Sequence, residues 1–524
     1  MTDDNHGSYD PIEALRIGVQ RTRDDAADAL ARRGFRRLEQ PGQRWRGTLT
    51  VRTRHDEGST KMTMVEIEMG EDYPLVCPKV LPMTQGQAEA ASGKSFADNY
   101  HEAGWGWHRD RDQSMCLFIE ADHTKLPWSD GQTLVDQAQA WLEQDAAGWP
   151  GPEPALDLER YLEISPDDKL VLYGALDGCD GKILRLRPER SGVLRVGRTM
   201  AALRRTGSKG GRHRWDRNAI LVVNAGEVSA PLRTWDDLLG AIGAPSADAL
   251  RRAHDRGLRR VLTMYARHGV RAVLAIDLHT DNIGTITPKS LRAAPDNLAT
   301  RSVRAHPEVA RLACARVAIV GMGAIGSVVA DLLHRSGVGH LDLIDSDTML
   351  PGNTTRHLLD NTAIGVPKAR AVAEALDAVR PDFGTIAPHE SHLCTLRQAT
   401  DLLSTFDLVV DATADSSASA VLGVAARAGV GLLLSVCVLA DGYAVRVDRT
   451  PLRPGEVALP DPVLPPVADT VYESGCGSPV STTPPAGVWE AAAIAARHAI
   501  QLLLDPKSGP PGEERILDPT REPA

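Results

Sequence analysis

A glycine-rich turn between a short apolar run and an apolar helical pattern constrains the fold of this chain most strongly. Gly321, Gly323 and Gly326 follow residues 317–320, and the helical pattern extends to His334. Glycine permits a tight turn and close approach of the backbone to phosphate, while the amides at a helix N-terminus attract anions. The turn therefore predicts a nucleotide site at the end of a buried strand.

Two further apolar runs end in aspartate and extend the same pattern. Residues 341–344 precede Asp345, and residues 408–410 precede Asp411. Strands that alternate with helices predict a doubly wound, Rossmann-like parallel sheet of the α/β class. A carboxylate at the position of Asp345 can hold the hydroxyls of a ribose. On spacing alone, such a site is as consistent with NAD and an oxidoreductase as with ATP.

The residues after the second strand resemble the signature of ubiquitin-activating enzymes and their bacterial sulfur-carrier relatives, the ThiF-like family. That signature has D-x-D followed by S-N-L-x-R-Q, which residues 345–357 match, with Asp345, Asp347, Asn353 and Arg356 in the corresponding places. It continues with V-G-x-x-K-A, to which residues 365–369 are similar. The resemblance covers about residues 300–505.

This resemblance implies an ATP-dependent adenylyltransferase. Asp345 would hold the ribose, and Asn353, Arg356 and Lys368 would surround the triphosphate. Positively charged and hydrogen-bonding side chains are needed there because negative charge accumulates on the leaving oxygens as pyrophosphate departs.

The resemblance also implies a carboxylate ligand for Mg²⁺ at the end of the third strand. The family has D-x-T-D-N there, whereas this chain has Asp411-Ala412-Thr413-Ala414-Asp415, with the second carboxylate displaced by one residue. Asp415 is the predicted ligand. Asp411 is the alternative, and it could instead cap the following helix.

A cysteine that accepts an acyl group should lie in an exposed, mobile segment. Cys476 lies in a loop after the proline-rich residues 460–466 and before a helical pattern over 487–504. In ThiF-like activating enzymes the acceptor cysteine lies at the corresponding place, so the resemblance implies a thioester at Cys476. The alternative is a small apolar loop residue. Cys437 is predicted in an apolar strand over 432–439.

The first part of the chain resembles a ubiquitin-conjugating domain. Residues 71–80 are similar to the family's D-Y-P-x-x-P-P-K-V, and residues 114–117 to its G-x-I-C-L. Trp128 and a helical pattern over 133–142 follow as they do in that family. The match in order and spacing covers about residues 40–145.

This second resemblance implies an α+β fold in which Cys116 is a further acyl acceptor. The family's H-P-N tripeptide, whose asparagine polarises the thioester oxyanion, is missing. His108 lies eight residues before Cys116, where that asparagine normally falls, and can donate a hydrogen bond to an oxyanion. His101 is a weaker candidate, and a purely structural role for His108 is the alternative.

A chain of 524 residues is too long for one hydrophobic core, and three domains are predicted. They are a ubiquitin-conjugating-like domain over 1–150, a mixed α/β linker or docking domain over 151–298, and a ThiF-like adenylation domain over 299–524. In the middle domain, strands are predicted over 182–196 and 219–228, and helices over 235–242 and 247–268.

Both resemblances in one chain indicate a bacterial fusion of a conjugating and an activating enzyme, as in CBASS antiphage operons. Such a fusion joins the C-terminus of a small or C-terminally exposed protein, for example a cyclic-nucleotide synthase, to an amine, which is expected to be lysine. Relatives pair through the adenylation region, so a homodimer is expected in which Arg301 or Arg304 reaches the opposite nucleotide. The alternatives are a sulfur-carrier adenylyltransferase, an NAD-dependent oxidoreductase and a non-enzymatic adaptor.

Composition and charge indicate in which compartment the protein acts and which kinds of partner and site are excluded. The net charge of −10 argues against broad nucleic-acid binding, and no apolar run approaches the roughly 20 residues that span a bilayer. The beginning of the sequence lacks a secretory pattern, so a cytoplasmic protein is expected. The seven scattered cysteines have neither the spacing of a tetrahedral zinc site nor that of a disulfide framework.

Overall fold

The computed structural model describes residues 11–39, 43–53, 60–104, 106–110, 112–118, 123–149, 158–190, 192–201, 203–205, 213–381, 383–466, 471–472, 479–518 and 520. The chain divides into two compact units, Met1–Pro295 and Asp296–Ala524. The first unit contains both regions that were predicted as separate domains, each with its own sheet. Within the described residues, none of the helices combines the length and the apolar character needed to cross a membrane.

The first region of unit one is an antiparallel sheet in the order β1-β2-β3-β4. The sheet and two of the three helices share one core, which includes Leu30, Val65 and Leu134. The elements are α1 (Pro11–Arg32), β1 (Arg36–Arg37), β2 (Gln43–Arg52), β3 (Thr60–Met69), β4 (Lys79–Pro82), α2 (Gln85–Ser92) and α3 (Gly131–Ala146). This arrangement is of the α+β type. Its specific likeness to a ubiquitin-conjugating domain stays a prediction.

The middle region of unit one is a mixed sheet that closes on itself. The strand order is β13-β12-β11-β7-β8-β6-β14, β14 pairs back with β13, and β5 adds to β14. The elements are β5 (Glu163–Ile164), β6 (Leu170–Tyr173), β7 (Ile183–Pro188), β8 (Val193–Met200), β9 (Leu203–Arg205), β10 (His213–Trp215), β11 (Ala219–Glu227), α4 (Trp235–Asp255), β12 (Arg260–Arg267), β13 (Val270–Thr280) and β14 (Ile286–Pro295).

Two of the secondary-structure predictions for this region are wrong. The predicted helix over 247–268 ends at Asp255, and its second half is strand β12, which pairs with β11 and β13. Val261 and Leu262 lie in the cores on opposite sides of this strand, so its near-continuous apolar run carries no periodicity that separates strand from helix. The predicted strand over 182–196 is instead the antiparallel pair β7 and β8.

The second unit is a seven-stranded sheet in the order β17-β16-β15-β18-β19-β20-β23, with parallel pairing from β17 to β19. The elements are α5 (Leu298–Ser302), α6 (Val309–Leu312), β15 (Arg316–Val320), α7 (Ala324–Ser336), β16 (His340–Ile344), α8 (Lys368–Val379), β17 (Thr385–His389), α9 (Leu396–Thr405), β18 (Leu408–Asp411), α10 (Ser416–Arg427), β19 (Leu433–Leu439), β20 (Ala444–Thr450), β21 (Val471–Tyr472), β22 (Pro479–Val480), α11 (Pro485–Leu504) and β23 (Gly512–Ile516).

The sheet of the second unit carries helices on both faces. Residues of α7, α8 and α11 form one core with the sheet, and residues of α9 and α10 form a second core on the other face. This doubly wound arrangement confirms the predicted Rossmann-like fold. Cys437 lies in β19, as predicted, and burial raises the pKa of its thiol.

The two regions of unit one are joined by a buried tryptophan. Trp107 is 4% exposed and belongs to the core of the middle region, although it lies in the first region of the sequence. Its indole N–H donates to the carbonyl oxygen of Ser229 at 3.1 Å, and the Arg267 guanidinium lies 3.8 Å from its ring centroid. Tyr161 contacts the same ring edge-on. The segment that leads to Cys116 is therefore anchored in the middle region.

We expect Trp107→Ala to lower the free energy of unfolding of the first unit by about 3–5 kcal/mol, because it leaves a cavity in the shared core. Trp107→Phe retains an aromatic ring but loses the hydrogen bond to Ser229, and its cost should be smaller. Urea unfolding followed by circular dichroism measures both variants. A loss below about 1 kcal/mol for the alanine variant would show that this contact contributes little.

Candidate functional site

Two of the three glycines at the start of α7, Gly321 in the preceding turn and Gly326 in the first turn of the helix, are required by close packing. Gly321 has φ 91°, and its N–H donates to the carbonyl oxygen of Ile344 at 2.8 Å. A Cβ atom on Gly326 would lie 1.8 Å from the carbonyl oxygen of Gly321, which no side chain can satisfy. At Gly323, the N-cap of α7, a Cβ atom would meet nothing within 4 Å. The helix N-terminus is thus packed directly against the end of β15.

Asp345 fixes this turn from the end of the neighbouring strand β16. Its carboxylate accepts the N–H groups of Met322 at 2.6 Å and Asp347 at 2.7 Å. Together with the turn it borders a cavity of about 160 Å³. The lining residues are Val320, Gly321, Ile344, Asp345, Ser346, Asp347, Ser391, His392, Leu393, Thr413, Asp415 and Ala418. Asp345 thus lies at the cavity, and its role as the ribose ligand stays a prediction.

His357 supports the turn from the opposite side, and the sequence interpretation gave it no role. Its Nε2–H donates to the carbonyl oxygen of Met322 at 2.7 Å, and its Nδ1 accepts the N–H of Leu359 at 3.2 Å. Burial lowers the pKa of this imidazole, which favours the neutral form that both hydrogen bonds require. The available signal was its place directly after Arg356 in the motif.

Lys368 lies at the start of α8, and its side chain is largely buried. Its Nζ donates to Oδ2 of Asp347 at 2.9 Å, and its backbone N–H donates to the carbonyl oxygen of Asp347 at 2.8 Å. Asp347 lines the cavity, whereas Lys368 lies behind it. The ammonium group of Lys368, which was predicted to contact the triphosphate, is therefore held at the cavity wall by the Asp347 carboxylate.

Asn353 lies in the short helical turn Pro351–Thr355, which precedes α8, and Arg356 follows this turn directly. Neither residue lines the cavity. The Asn353 side-chain oxygen accepts the N–H of Leu350 at 2.9 Å. Arg356 Nη1 donates to the carbonyl oxygen of Thr483 at 3.4 Å, just before α11. Cys476, which precedes this segment, lies outside the described residues.

The two candidate magnesium ligands differ in how much of each carboxylate is engaged. Asp411 is buried, and its oxygens accept hydrogen bonds from Thr413 Oγ1 at 2.8 Å and Ser419 Oγ at 2.6 Å. Asp415 lines the cavity, and one of its oxygens caps α10 by accepting the N–H groups of Ser417 and Ala418. The helix cap is therefore Asp415 and not Asp411. Among the described residues, no group of three or more metal-binding side chains is preassembled.

A second cavity, in the first unit, contains Cys116 and has a volume of about 780 Å³. The Cys116 N–H donates to the carbonyl oxygen of His108 at 2.9 Å, and the Met115 N–H donates to that of Val80 at 2.8 Å. The lining residues are Cys77, Pro78, Lys79, Asp110, Asp112, Ser114, Met115, Cys116, Leu117, Phe118 and Arg160. Cys116 is half-buried, so its thiol lies in a formed cavity.

His108 holds the backbone of this segment. It has φ 59°, its N–H donates to the Tyr161 hydroxyl at 2.9 Å, and its carbonyl oxygen also accepts the Trp141 indole N–H at 3.0 Å. Its ring packs on Trp149 at a centroid distance of 4.1 Å, and it is not a lining residue of the Cys116 cavity. The oxyanion role of His108 stays a prediction. His101 lies 3.1 Å from an Asp145 carboxylate oxygen.

Two ion pairs at the Cys116 cavity were not predicted from the sequence. Lys79 Nζ lies 2.6 Å from Oδ2 of Asp112, and Arg160 Nη2 lies 2.7 Å from Oδ1 of Asp110.

The neighbouring Cys77 is a poor nucleophile, because burial, together with the nearby Cys116 and Asp110, raises the pKa of its thiol to about 12.

Comparison with known protein families assigns a domain type to the second unit. Residues 296–507 match the ThiF family. The second unit carries a ThiF domain. The predicted resemblance of this region to ThiF-like proteins is thereby confirmed.

Several curated relatives are similar to parts of the chain. It is 34% identical over 127 residues to the ATP-dependent ubiquitin transferase-like protein Cap2 of Enterobacter hormaechei, covering 23% of this chain and 20% of the relative. It is 35% identical over 140 residues to Cap2 of Vibrio cholerae, covering 26% and 23%. It is 32% identical over 149 residues to the adenylyltransferase and sulfurtransferase uba4 of Emericella nidulans, covering 28% and 30%. The match therefore spans less than a third of each relative.

A solved structure of E. coli MccB with ATP also matches part of the chain. The alignment has 14% sequence identity and a TM-score of 0.32, and it covers 41% of this chain and 68% of that one.

We expect Gly326→Ala to unfold or strongly destabilise the ThiF domain, because the added methyl group collides with the Gly321 carbonyl oxygen. Gly323→Ala is the matched control: it adds the same atom in open space and should change the melting temperature little. Differential scanning calorimetry of the two variants tests this difference. Equal melting temperatures would contradict the packing that positions α7.

Proposed function

We propose that the ThiF domain uses ATP and Mg²⁺ to adenylate the C-terminal carboxylate of a partner protein. The observation that carries this proposal is the convergence of the glycine turn, Asp345 and the Lys368–Asp347 pair at the carboxyl ends of β15 and β16. This is where open α/β sheets bind their ligands. The match to the ThiF family and the relatives named as ATP-dependent transferases or adenylyltransferases support it.

Each residue of the site has a definite task in this proposal. The amides at the start of α7 face the phosphates, and Asp345, already fixed by two backbone N–H groups, accepts hydrogen bonds from the ribose hydroxyls. Lys368 exchanges its contact with Asp347 for a phosphate oxygen. Asn353 and Arg356 complete the donor set, and Arg356 leaves the Thr483 carbonyl oxygen to do so.

Asp415 is the proposed magnesium ligand. Both oxygens of the alternative, Asp411, already accept hydroxyl hydrogen bonds, and its side chain is buried. Asp415 borders the cavity, and the backbone N–H groups of Ala418 and Ser417 hold the pKa of its carboxyl below the ordinary value. It is therefore ionised at neutral pH, as a ligand for a hard cation must be.

The acyl group then passes through two thiols. Cys476 displaces AMP and forms a thioester, Cys116 takes the acyl group by exchange, and a lysine of the target attacks to form an amide. To hold the oxyanion in this step, the His108 ring has to turn from Trp149 toward the Cys116 cavity. Each thioester keeps the carbonyl activated for an amine that does not attack a free carboxylate. The two relatives named Cap2 favour a ubiquitin-transferase-like reaction, and we place it in cytoplasmic antiphage defence, with a cyclic-nucleotide synthase as a candidate acyl donor.

A homodimer through the ThiF domain is part of this proposal. Arg301 pairs with Asp296 and donates to the carbonyl oxygen of Val379 at 3.1 Å within its own chain. Arg304 is exposed. Of the two, Arg304 is the better candidate to reach the nucleotide of a partner subunit.

A sulfur-carrier adenylyltransferase is the second candidate function, favoured by the relative named adenylyltransferase and sulfurtransferase. It would share the adenylation step but would not require Cys116. An NAD-dependent oxidoreductase would have only the glycine turn and the ribose carboxylate in common with this site. A non-enzymatic adaptor would need neither thiol.

We expect Lys368→Ala to lower ATP–pyrophosphate exchange, measured with a candidate partner, by about 100-fold or more, because a charge-stabilising donor is lost. Asp415→Ala should have a similar effect through loss of the magnesium ligand. Lys507→Ala, a lysine on the surface of the same unit, is the control and should exchange normally. Normal exchange in the Lys368 variant would remove this residue from the site, and an oxidoreductase would show no exchange at all.

The order of the two thiols gives a second test. We expect Cys116→Ala to form a reductant-sensitive adduct on Cys476, whereas Cys476→Ala should adenylate the partner and load neither thiol. Cys116→Ser should trap a stable ester only when Cys476 is present, since an oxygen ester is less reactive toward amines than a thioester. Intact-mass spectrometry with ATP, Mg²⁺ and the partner measures these species. Loading at position 116 without Cys476 would exclude the relay.

A further inference from the structure

The cavity that contains Cys116 is also lined by a lysine of the chain itself. Lys79 and Cys116 are both lining residues. The Met115 N–H donates to the carbonyl oxygen of Val80 at 2.8 Å, so the two backbone segments that carry Lys79 and Cys116 are direct neighbours. Val80 and Met115 are buried in the core. Because successive side chains in extended backbone alternate, Lys79 and Cys116 face away from that core together.

The amine of Lys79 is held by an ion pair whose carboxylate is itself fixed. Lys79 Nζ lies 2.6 Å from Oδ2 of Asp112. Oδ1 of Asp112 accepts the backbone N–H of Ser114 at 3.1 Å and its hydroxyl at 2.7 Å. Asp112 is therefore anchored to Ser114, two residues before Cys116, by contacts that do not involve Lys79.

Three described carboxylates near Lys79 favour its protonated form. The hydrogen bond with Asp112 raises the pKa of the Lys79 amine above its ordinary value, and the charges of Glu68 and Asp110 act in the same direction. Glu68 lies directly opposite Lys79 on β3, and Asp110 is paired with Arg160 on the cavity wall. An ammonium group has no lone pair, so Lys79 in this state cannot attack a carbonyl carbon.

We propose that Lys79 is an internal acyl acceptor of the Cys116 thioester, and that Asp112 suppresses this self-modification by holding Lys79 as an ion-paired ammonium. The inference rests on the proposed role of Cys116 and adds a modification site to it. In the suppressed reaction, neutral Nζ attacks the thioester carbonyl carbon. The new C–N bond forms as the C–S bond breaks, Cys116 leaves as a thiolate, and the proton from the amine passes to that thiolate or to solvent.

Self-modification of this kind would consume the acyl group without reaching a target. Exchange between thiols is reversible and keeps the acyl group activated as a thioester. An amide at Lys79 would not return to the thioester. An enzyme with a lysine beside its thiol therefore gains from a carboxylate that keeps this amine charged. Asp112 provides this carboxylate.

The test uses the full chain and a synthetic acyl donor, so that neither ATP nor the partner protein is needed. A short peptide thioester that ends in glycine is incubated with the protein, thioesters are then removed with reductant, and stable amides are mapped by peptide mass spectrometry. We expect Asp112→Asn to raise the Lys79 amide by about fivefold or more, because the amine loses its charged partner. Asp112→Glu, which keeps the carboxylate, should restore suppression.

Two controls separate this reaction from direct acylation by the reagent. The exposed Lys94 and Lys125 of the same region report the direct reaction, which Asp112→Asn should not change. The double variant Asp112→Asn/Cys116→Ala should lose the added Lys79 amide. A rise that is equal at all three lysines, or that persists without Cys116, would overturn the inference.

The experiment also distinguishes the inference from the function on which it rests. Loading of Cys116 without a Lys79 amide in the Asp112→Asn variant overturns the internal acceptor alone. Absence of any reductant-sensitive adduct on Cys116 contradicts the thiol relay, and the inference falls with it.

Discussion

The contact between helix α7 and the turn that precedes it determines the geometry of the whole nucleotide region. No Cβ atom fits at Gly326, since it would lie 1.8 Å from the Gly321 carbonyl oxygen, so the helix begins directly against the end of β15. This packing presents the Met322 N–H to Asp345 and the Met322 carbonyl oxygen to His357. The backbone at the start of α7 is therefore placed by steric contact between buried elements and by these two side chains.

The charge of this cavity bears on the proposed binding of a nucleotide together with a cation. Asp345, Asp347 and Asp415 are all lining residues, and the nearest predicted cation, Lys368, is already paired with Asp347. A triphosphate adds further negative charge to three carboxylates, which is unfavourable at short distance. In the proposed function, Mg²⁺ at Asp415 and release of Lys368 from Asp347 compensate this repulsion. Nucleotide binding and the charge state of the site are then coupled.

The sequence predicted those parts of the structure that local patterns determine. The turn, Asp345 and Cys437 lie where the strand and helix patterns placed them. The sequence predicts a helix over 247–268, but residues 260–267 form a strand that is buried on both faces, so its apolar residues show no period of two. Contacts between distant segments have no local signal: neither the hydrogen bond from His357 to the turn nor the burial of Trp107 among residues 219–278 is visible in one sequence. Cys476 lies outside the described residues, and its role rests on the resemblance alone.

Trp107 and its neighbours give the Cys116 segment a rigidity that the proposed relay requires. His108 adopts φ 59°, a conformation that costs free energy in a non-glycine residue, and it persists because the surrounding contacts determine it. Tyr161 receives the His108 N–H, while the His108 carbonyl oxygen receives the N–H of Cys116 and the indole N–H of Trp141. Exchange between two thioesters is nearly balanced in free energy, so its rate depends on placing the thiol against the incoming carbonyl carbon rather than on a driving force. In the proposed relay, the middle region thus contributes to the chemistry at Cys116 by fixing the backbone that carries the thiol.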